Sequence, residues 1–524
     1  MSQTSAFEIL GPVMVGPSSS HTAGALRCSQ VAASLMEHEV VRVKFTLWNS
    51  FSHTYRGHGT DRALLGGILG YATDDERIRD AYAHADERGL AYSFSPAGDN
   101  PAMHPNTVDI RMEDAAGAML TVRGESLGGG RVRISRIDGV DVDITGDYDT
   151  LFVAHRDAPG VLAHLTLLLS RHSINIAFMR TYRTERGGSA YTVFEMDDMP
   201  PADVLEEVRA YPEVATATSI HVPGAAGSPL GAATVPTFSN GAELLERSAQ
   251  LGSIGRVMRE REEALAGPEE AHARMARVLE VMREETVKPI EEPERSLGGL
   301  IGGEAAGIAN AADALAPSLM GAVQTDAVAR AMAVLERSAA MGVIVAAPTA
   351  GSSGVVPGCV LALDAALPAE PGRAEDALWC ASAVGLILAT NASVSGAEGG
   401  CQAEVGSASA MAAAALVQMM GGTPEQSLDA ASIAIGNLLG LVCDPVGGLV
   451  EVPCQNRNAI GVANAFSAAQ LALSGVSSLV PFDESAQAML EVGRALPASL
   501  RETAQGGLAV APSACAACKG CARG

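Results

Sequence analysis

Thr150-Leu-Phe-Val-Ala-His-Arg-Asp-Ala-Pro-Gly-Val-Leu-Ala-His-Leu165 passes from a short run with strand character, through a turn, into a run with helical spacing. The alternation then continues with two strand-like runs around a Glu-Arg-Gly-Gly turn. The predicted elements are a strand at 150–155, a helix at 160–172, strands at 174–184 and 189–197, a helix at 202–210 and a strand at 214–221. This β-α-β-β-α-β order predicts a ferredoxin-like domain over residues 147–223.

The chain on either side of this domain has a different pattern. Residues 1–146 mix a helix-like segment with strand-like runs and Gly-rich turns, which predicts an α/β domain. Residues 224–238 are rich in Gly, Ala and Pro, so we interpret them as a linker. Residues 239–510 are rich in alanine, which favours helices, and a mostly α-helical domain is expected there. Residues 511–524 form a short cysteine-rich tail.

The composition narrows the class of protein. A chain of 524 residues is too long for one ordinary core, so several domains are expected. A formal net charge of -24 disfavours nucleic acid as a partner, because the surface repels phosphate groups. The N-terminus lacks the pattern of a secretory signal, and the apolar stretches are shorter than the roughly 18 residues that a membrane span needs. We therefore expect a cytoplasmic protein without a membrane partner.

The counts of cysteine and lysine bear on the chemistry. Nine cysteines are an odd number, which argues against a disulfide framework, and seven of them lie after residue 375. This asymmetry indicates metal or redox chemistry in the C-terminal half. Pyridoxal phosphate enzymes need a lysine for the Schiff base. Only Lys44, Lys288 and Lys519 are present, in a strand-like run, a charged stretch and the tail, so pyridoxal chemistry is disfavoured.

Three cysteines stand at predicted helix ends or turns, flanked by Gly or Pro: Cys401, Cys443 and Cys454. Thiolates on loops can converge on a metal, and nearby backbone amides can hydrogen-bond their sulfurs. Three buried structural cysteines would fit the same pattern. A zinc finger is disfavoured, because its cysteines come in close pairs.

Two N-terminal motifs gather polar groups. Gly11-Pro-Val-Met-Val-Gly-Pro-Ser-Ser-Ser-His-Thr22 leads into a predicted helix. Its hydroxyls, imidazole and helix N-terminal amides could hold a carboxylate, or the run could be a simple helix cap. Phe51-Ser-His-Thr-Tyr-Arg-Gly-His-Gly-Thr-Asp61 places two histidines, two threonines and an aspartate close together. A histidine in such a cluster can equally be a structural one.

A loop of small residues, Ala347-Pro-Thr-Ala-Gly-Ser-Ser-Gly-Val-Val-Pro357, lies in the helical region. Successive backbone amides in such a loop can form a nest for an anion. Thr349, Ser352 and Ser353 would then grip a carboxylate. A tight connection between two helices would have the same composition, so both interpretations stand.

Together these motifs resemble bacterial iron–sulfur L-serine dehydratases, in the order β portion, ACT domain and α portion within one fused chain. The ACT resemblance is carried by His155-Arg-Asp-Ala-Pro-Gly-Val-Leu162 and Ser173-Ile-Asn-Ile176. The resemblance implies that Cys401, Cys443 and Cys454 hold a 4Fe–4S cluster whose fourth iron is open as a Lewis acid. In some relatives a C-terminal cysteine caps that iron, and Cys515 is its nearest counterpart here, ahead of Cys518 and Cys521 in the tail.

The resemblance also implies site residues. His58 and His21 are candidates for the base that removes the α-proton, because imidazole has a suitable pKa near neutrality. Substrate contacts are expected from Ser18, Ser19, Ser20, Thr22, Thr60, Asp61, Thr349, Ser352 and Ser353. The site should lie between the β and α portions. In the ACT domain, an amino-acid effector would bind around Asp157, Gly160 and Asn175, or the domain would serve only in dimerisation.

The activity that the resemblance implies is that of a pyridoxal-independent L-serine ammonia-lyase, a homodimer or higher homo-oligomer of serine catabolism and gluconeogenesis under allosteric control. It would convert L-serine into pyruvate and ammonia. Two alternatives stay open. The same cluster could act on L-threonine or L-cysteine, or the chain could be an amino-acid sensor whose cysteines hold a structural metal.

Overall fold

A computed structural model describes residues 4–128, 130–144, 149–183, 185–220, 235, 237–311 and 318–517. These residues form two compact units. The first contains the described residues from Ser20 to Ile220, and the second contains Thr4–Ser19 with the described residues from position 235 onward. The predicted linker at 224–238 falls largely outside the described ranges.

The segment Thr4–Ser19 belongs to the helical unit, although its sequence reads as part of the α/β domain. Its strand β1 (Val13–Val15) pairs antiparallel with residues Val343–Val345. The Ser5 hydroxyl and the Ala6 amide donate hydrogen bonds of 2.7 and 3.0 Å to the buried carboxylate of Glu262. A segment this short cannot bury its apolar side chains alone, so it joins the core of the larger unit.

A six-stranded sheet with packed helices builds the first part of the first unit. The elements are α1 (Ala25–Ser34), β2 (Val40–Trp48), α2 (Asn49–Thr54), α3 (Thr60–Ile68), α4 (Ala81–Arg88), β3 (Ala91–Pro96), β4 (Asn106–Asp114), β5 (Met119–Gly128), β6 (Arg131–Ile137) and β7 (Val140–Ile144). The strand order is β3-β2-β4-β5-β6-β7, parallel only between β2 and β3. Helices α1 and α3 approach closely, since a Cβ on Gly67 would collide with the Leu26 carbonyl. The α/β prediction is confirmed.

The ferredoxin-like prediction is confirmed in the second part of that unit. The elements are β8 (Asp149–Arg156), α5 (Val161–Arg171), β9 (Ile176–Arg183), β10 (Ser189–Met196), α6 (Ala202–Arg209) and β11 (Val214–Ile220). The strands pair antiparallel in the order β11-β8-β10-β9. Inward side chains of the strands, such as Leu151 and Phe194, pack against Leu165 and Leu169 of α5. The apolar residues that alternate along the strands and those on one face of the helix thus form one core.

The second unit is mostly α-helical, as predicted. Its elements are α7 (Gly241–Leu251), α8 (Ile254–Ala266), α9 (Pro268–Glu285), α10 (Lys288–Glu291), α11 (Glu304–Ala311), α12 (Ala322–Ala339), β12 (Val343–Val345), α13 (Val355–Ala366), α14 (Arg373–Asn391), α15 (Gly396–Gly399), α16 (Ser407–Met419), α17 (Pro424–Leu438), α18 (Cys454–Leu473), α19 (Phe482–Ala495) and α20 (Pro512–Ala517). The core contains Trp379 and many alanines, including those of α16. None of the helices described in this chain has the length and apolar character that crossing a membrane requires.

Candidate active site

Three cysteines of the helical unit are buried beside helix ends. Cys401 stands between α15 and a π-helical turn at Gln402–Gly406, Cys443 lies after α17, and Cys454 is the first residue of α18. All three are free thiols, with exposed fractions of 3%, 4% and 7%. Cys401 and Cys443 share a small apolar cluster with Val405. The predicted trio is therefore brought to buried positions by three separate segments.

The thiols influence one another electrostatically. A hydrogen bond with Cys401, followed by burial, raises the pKa of Cys443 well above its ordinary value. Burial, followed by the charge of Cys401, raises the pKa of Cys454 in the same way. Three buried thiolates need a positive partner, and metal ligation both requires thiolates and supplies that charge. This donor set fits an iron–sulfur cluster.

No three of the described His, Cys, Asp and Glu side chains converge as ligands of a single metal ion. An iron–sulfur cluster instead distributes its thiolate ligands over several irons. The fit to a cluster therefore depends on the burial, the free state and the mutual charge effects of the three thiols.

Arg457 of α18 fixes the segment that carries Cys443. Its guanidinium donates hydrogen bonds of 2.8 Å to the Val442 carbonyl and 2.7 Å to the Asp444 carboxylate. The Leu508 amide donates a 2.6 Å hydrogen bond to the other oxygen of Asp444. Asp444 is buried, so its carboxylate loses its hydrogen bonds to water. The Arg457 guanidinium and the Leu508 amide replace them.

The Gly-rich turn at 296–304 is held by a carboxylate of the chain itself. The amides of Gly298 and Leu300 donate hydrogen bonds of 2.7 and 2.9 Å to the two oxygens of Glu451. Glu451 precedes Cys454 by three residues. The turn thus anchors the segment that leads to Cys454, with its amides as the donors.

The hydroxyls of the small-residue loop after β12 all have partners inside the helical unit. Thr349 Oγ1 donates a 2.9 Å hydrogen bond to Glu404 and lies 3.1 Å from Ser352 Oγ. Ser353 Oγ donates a 2.8 Å hydrogen bond to the Ala350 carbonyl. In this structure the three hydroxyls brace the loop, and their predicted grip on a substrate carboxylate stays a prediction.

Glu404 links this loop to one of the thiols. Its second carboxylate oxygen lies 3.9 Å from Cys443 Sγ, while the first accepts the Thr349 hydrogen bond. Burial raises the pKa of Glu404, and the hydrogen bonds from Thr349 and Cys443 act in the opposite direction. One buried carboxyl group therefore joins the loop and the cysteine segment.

Asn458 of α18 makes a second link. Its Nδ2 donates hydrogen bonds of 2.8 Å to the Gly351 carbonyl and 2.9 Å to the Cys454 carbonyl. The Gly354 amide donates a 3.1 Å hydrogen bond to Asn458 Oδ1. The loop is thereby fixed against the first turn of the helix that begins with Cys454.

In the first unit, His21 and His58 are buried against each other. Their ring centroids are 4.4 Å apart and the rings meet edge to face at 84°. His21 Nε2 lies 2.9 Å from Ser50 Oγ, and its Nδ1 lies 3.2 Å from Ser20 Oγ. Burial, followed by the charge of His58, lowers the pKa of His21 well below its ordinary value of 6.5. His21 is therefore a neutral imidazole at neutral pH.

Thr22, Thr60 and Asp61 lie close to His58. Thr22 Oγ1 donates a 3.0 Å hydrogen bond to the His58 carbonyl. Thr60 Oγ1 is buried at the start of α3 and has no hydrogen-bond partner among the described residues. Burial raises the pKa of Asp61, opposed by a 2.8 Å hydrogen bond from the Tyr82 hydroxyl. A buried hydroxyl without a partner is a candidate contact for a polar ligand.

The serine run of the first motif lies where the chain passes from one unit to the other. Ser18 and Ser19 are buried in the second unit, and Ser20 is the first described residue of the other unit. The predicted contacts from these serines to a substrate stay predictions.

Most of the chain matches known proteins. Residues 248–509 match the family model for the serine dehydratase alpha chain, residues 5–136 match that for the serine dehydratase beta chain, and residues 150–213 match that for the ACT domain. A protein of Streptomyces coelicolor named L-serine dehydratase is 32% identical over 516 residues, covering 95% of this chain and 96% of its own. The chain belongs to the serine dehydratase family.

Two further relatives show how the parts correspond within the serine dehydratase family. Escherichia coli L-serine dehydratase 2 is 30% identical, covering 98% of this chain and 99% of its own. The Bacillus subtilis protein named probable L-serine dehydratase, alpha chain is 48% identical over 279 residues, covering 53% of this chain and 92% of its own. A separate alpha chain in one relative corresponds to the C-terminal half of this chain, so the resemblance to a fused chain is confirmed.

The predicted effector residues of the ACT domain have partners within that domain. Asp157 accepts a 2.9 Å hydrogen bond from the Gly187 amide, and Asn175 donates one of 2.7 Å to Asp197. Gly160 is the N-cap residue just before α5, and its φ of 94° is a backbone conformation that favours glycine. An effector at these three residues stays a prediction.

Cys515 is not among the buried thiols. It is exposed in α20, with its Sγ 3.8 Å from the Ala509 carbonyl. Helix α20 packs against the turn at Val446–Gly448, which lies between Cys443 and Cys454 in sequence. Its role as a fourth ligand stays a prediction, and Cys518 and Cys521 lie outside the described residues.

The sequence patterns did not identify the residues that hold the three cysteine segments in place. Glu404, Asp444, Glu451 and Asn458 are all buried or hydrogen-bonded within the helical unit. Each stands within four residues of one of the three cysteines. A polar side chain so close to a candidate ligand, in an otherwise apolar region, is the signal that could have found them.

Proposed function

We propose that this chain is an L-serine ammonia-lyase that converts L-serine into pyruvate and ammonia, with a 4Fe–4S cluster bound by Cys401, Cys443 and Cys454. The observation that carries the proposal is the burial of three free, mutually interacting thiols in a chain with full-length relatives named L-serine dehydratase. When bound, the cluster would supply a Lewis acid that makes the hydroxyl of serine a better leaving group.

The lysines support a reaction independent of pyridoxal phosphate. Lys288 Nζ lies 3.6 Å from a carboxylate oxygen of Glu284, and 40% of its side chain is exposed. Lys44 is exposed on β2, and Lys519 lies outside the described residues. A Schiff-base lysine must instead be enclosed with its cofactor.

The proton chemistry is assigned to His21 or His58. Elimination takes the α-proton and the β-hydroxyl of serine as water and leaves aminoacrylate, which tautomerises to an imine and is hydrolysed to pyruvate and ammonia. The base must be neutral to accept the α-proton, and the lowered pKa of His21 keeps its imidazole neutral. The hydroxyls of Ser20 and Ser50 orient that ring.

The remaining assignments concern binding and regulation. We assign substrate contacts to the hydroxyl and carboxyl groups around the histidines and in the small-residue loop: Ser18, Ser19, Ser20, Thr22, Thr60, Asp61, Thr349, Ser352 and Ser353. An amino-acid effector is assigned to the ACT domain at Asp157, Gly160 and Asn175. We further propose a cytoplasmic homodimer or higher homo-oligomer that serves serine catabolism and gluconeogenesis.

The decisive experiment uses full-length protein purified without air. We expect a brown protein with about four irons that releases pyruvate from L-serine without added pyridoxal phosphate. Cys401→Ser should lose both iron and activity. Cys380→Ser is the matched control, because Cys380 is also a buried free thiol of the helical unit but lies within a different helix, α14. A colourless, zinc-loaded protein that makes no pyruvate would contradict the proposal.

The histidine assignment needs its own test. His58→Ala and His21→Ala should each retain the iron content of the wild type, and the variant that lacks the base should lose turnover. A His58→Ala protein with full turnover would remove His58 from the reaction and leave His21 as the base. His38→Ala, at an exposed position of the same unit, is the control for a general effect of losing a histidine.

The substrate alternatives are separated by the products. L-threonine would give 2-oxobutyrate and ammonia, and L-cysteine would give pyruvate, ammonia and sulfide. We expect the highest kcat/KM with L-serine. A protein that binds serine without consuming it would favour the amino-acid sensor instead.

A further inference from the structure

A cavity of about 410 Å3 lies in the helical unit, between the loop around α15, the end of α19 and the segment that follows it. This volume is within the range of small-molecule sites, which is roughly 300–1,000 Å3. Its charged lining residues are Arg494, Arg501 and Glu398. The cavity thus combines two positive groups and one negative group in a protein whose net charge is strongly negative.

Both arginines have guanidinium N–H groups that donate no hydrogen bond to a described residue. Arg494 forms no hydrogen bond or ion pair with any described residue, and Arg501 uses one guanidinium nitrogen on the Glu398 carbonyl at 3.2 Å. The buried Nε of Arg501 has no hydrogen-bond partner in the described part of the chain. A buried guanidinium N–H without an acceptor is costly, and a carboxylate matches the paired donors of arginine.

The Glu398 carboxylate forms no ion pair with Arg494 or Arg501. One oxygen of the Glu398 carboxylate accepts a 2.6 Å hydrogen bond from Ser393, and no described cation lies within 4.0 Å of it as an ion-pair partner. The carboxylate therefore keeps acceptor capacity for a second donor. The two hydroxyl groups that line the cavity already donate hydrogen bonds within the protein, Ser393 to Glu398 and Thr503 to the Ala498 carbonyl.

We infer that this cavity binds a free α-amino acid, whose carboxylate pairs with Arg494 and Arg501 and whose ammonium group pairs with Glu398. A zwitterion carries one charge of each sign, so it complements the two arginines and Glu398 at the same time. None of the three buried thiols lines the cavity, so the amino acid bound there would not contact them. The site is an effector site rather than the place of the reaction, and it goes beyond the proposed function.

The cavity is nevertheless connected to a thiol through the backbone. Arg501 pairs with Cys443 in an isolated parallel bridge, in which the Cys443 amide donates a 2.9 Å hydrogen bond to the Leu500 carbonyl. The Glu502 amide donates a 2.9 Å hydrogen bond to the Cys443 carbonyl. An amino acid that fixes the Arg501 side chain also restrains the segment that holds Cys443.

The test is isothermal titration of the full-length, anaerobically purified protein with glycine and with acetate. Glycine lacks a β-hydroxyl and cannot undergo the elimination, and acetate is the same molecule without the ammonium group. We expect glycine to bind and acetate to bind at least about tenfold more weakly, because it leaves Glu398 without its partner. Equal affinities for glycine and acetate would overturn the assignment to amino acids.

Substitutions of the cavity residues test whether glycine binds in the cavity. Arg494→Gln and Glu398→Gln should each weaken glycine binding at least about tenfold. Arg277→Gln is the matched control, because Arg277 is an exposed arginine of the same unit that pairs only with Glu280. Glycine binding that is unchanged in both cavity variants would overturn the inference. The titration needs no turnover, so its failure is distinguishable from a failure to release pyruvate from serine.

Discussion

Thr349 Oγ1 donates a 2.9 Å hydrogen bond to Glu404 Oε1, although the two residues are 55 positions apart in sequence. The other oxygen of Glu404 lies 3.9 Å from Cys443 Sγ. A single buried carboxyl group therefore ties the small-residue loop to the cysteine segment. This relationship makes Thr349 a structural part of the cysteine site, whatever its contact with substrate.

The first prediction concerns that hydroxyl. Thr349→Val keeps the shape of the side chain but leaves a buried oxygen of Glu404 without its donor, so we expect a loss of about 1–3 kcal/mol of stability. Iron retention should fall with it, because the loop no longer supports the segment around Cys443. Thr349→Ser keeps the hydroxyl and should behave like the wild type. Urea unfolding and iron analysis measure both effects, and equal behaviour of the two variants would contradict the prediction.

The second prediction concerns Asn458, which makes three hydrogen bonds between the loop and the first turn of α18. Asn458→Leu removes the side-chain donor to the Gly351 carbonyl and leaves the Gly354 amide without its acceptor, and we expect it to cost about 2–4 kcal/mol of stability. Gln470→Leu, at an exposed position of the same helix, should change stability by less than about 0.5 kcal/mol. Chemical unfolding of both variants checks the difference, and similar losses would argue against the assigned role of Asn458.

The fold was predictable where local patterns carry the information. The ferredoxin-like domain follows from the change between alternating and helical spacing, and the same residues that alternate, such as Leu151 and Val153, face its core. The helical unit follows from its alanine content. The segment Thr4–Ser19 was not predictable in this way, because its partners, Glu262 and the strand β12, lie hundreds of residues away.

The candidate site was predictable to a smaller extent. The three cysteines were identified because residues of one reactive type recur in Gly- and Pro-flanked segments that resemble a known family. The residues that position them, such as Glu404 and Asn458, act through contacts that span 55 and 107 positions. No periodicity or spacing in a single sequence encodes such pairs, so only the folded chain shows them.

The third prediction is a pH dependence of the first unit that comes from His21. Its lowered pKa means that below about pH 6.5 the unfolded chain takes up a proton that the folded chain does not. The free energy of unfolding that the neutral ring contributes is therefore fully present above pH 6.5. It decreases as the pH falls below that value, by up to about 1.4 kcal/mol per pH unit. His21→Gln should remove this slope.

The two tryptophans allow that slope to be measured in one unit at a time. Trp48 lies in the first unit and Trp379 in the second, so a Trp379→Phe background leaves fluorescence that reports on the first unit. Urea unfolding between pH 5 and pH 8 then gives the stability of that unit with and without His21. His38→Gln is the control at an exposed histidine. The same slope in the His21→Gln protein and the wild type would refute the assignment.

The last prediction concerns Glu285, a buried carboxyl group at the end of α9. Its Oε2 accepts a 2.7 Å hydrogen bond from the Val345 amide of β12, and its Oε1 has no hydrogen-bond partner among the described residues. Burial, opposed by the Val345 hydrogen bond and the charge of Arg337, raises the pKa of Glu285 well above 4.5. The folded chain therefore holds a proton that the unfolded chain has lost once the pH exceeds 4.5.

This shift makes the second unit less stable as the pH rises above 4.5, until Glu285 ionises in the folded state. The loss should reach about 1.4 kcal/mol per pH unit within that window. Glu285→Gln keeps an acceptor for the Val345 amide but cannot ionise, so the variant should gain stability over the wild type at pH 7 and lose this part of the pH slope. Urea unfolding followed by Trp379 fluorescence in a Trp48→Phe background measures it. A Glu285→Gln protein that is less stable than the wild type at pH 7 would contradict this prediction.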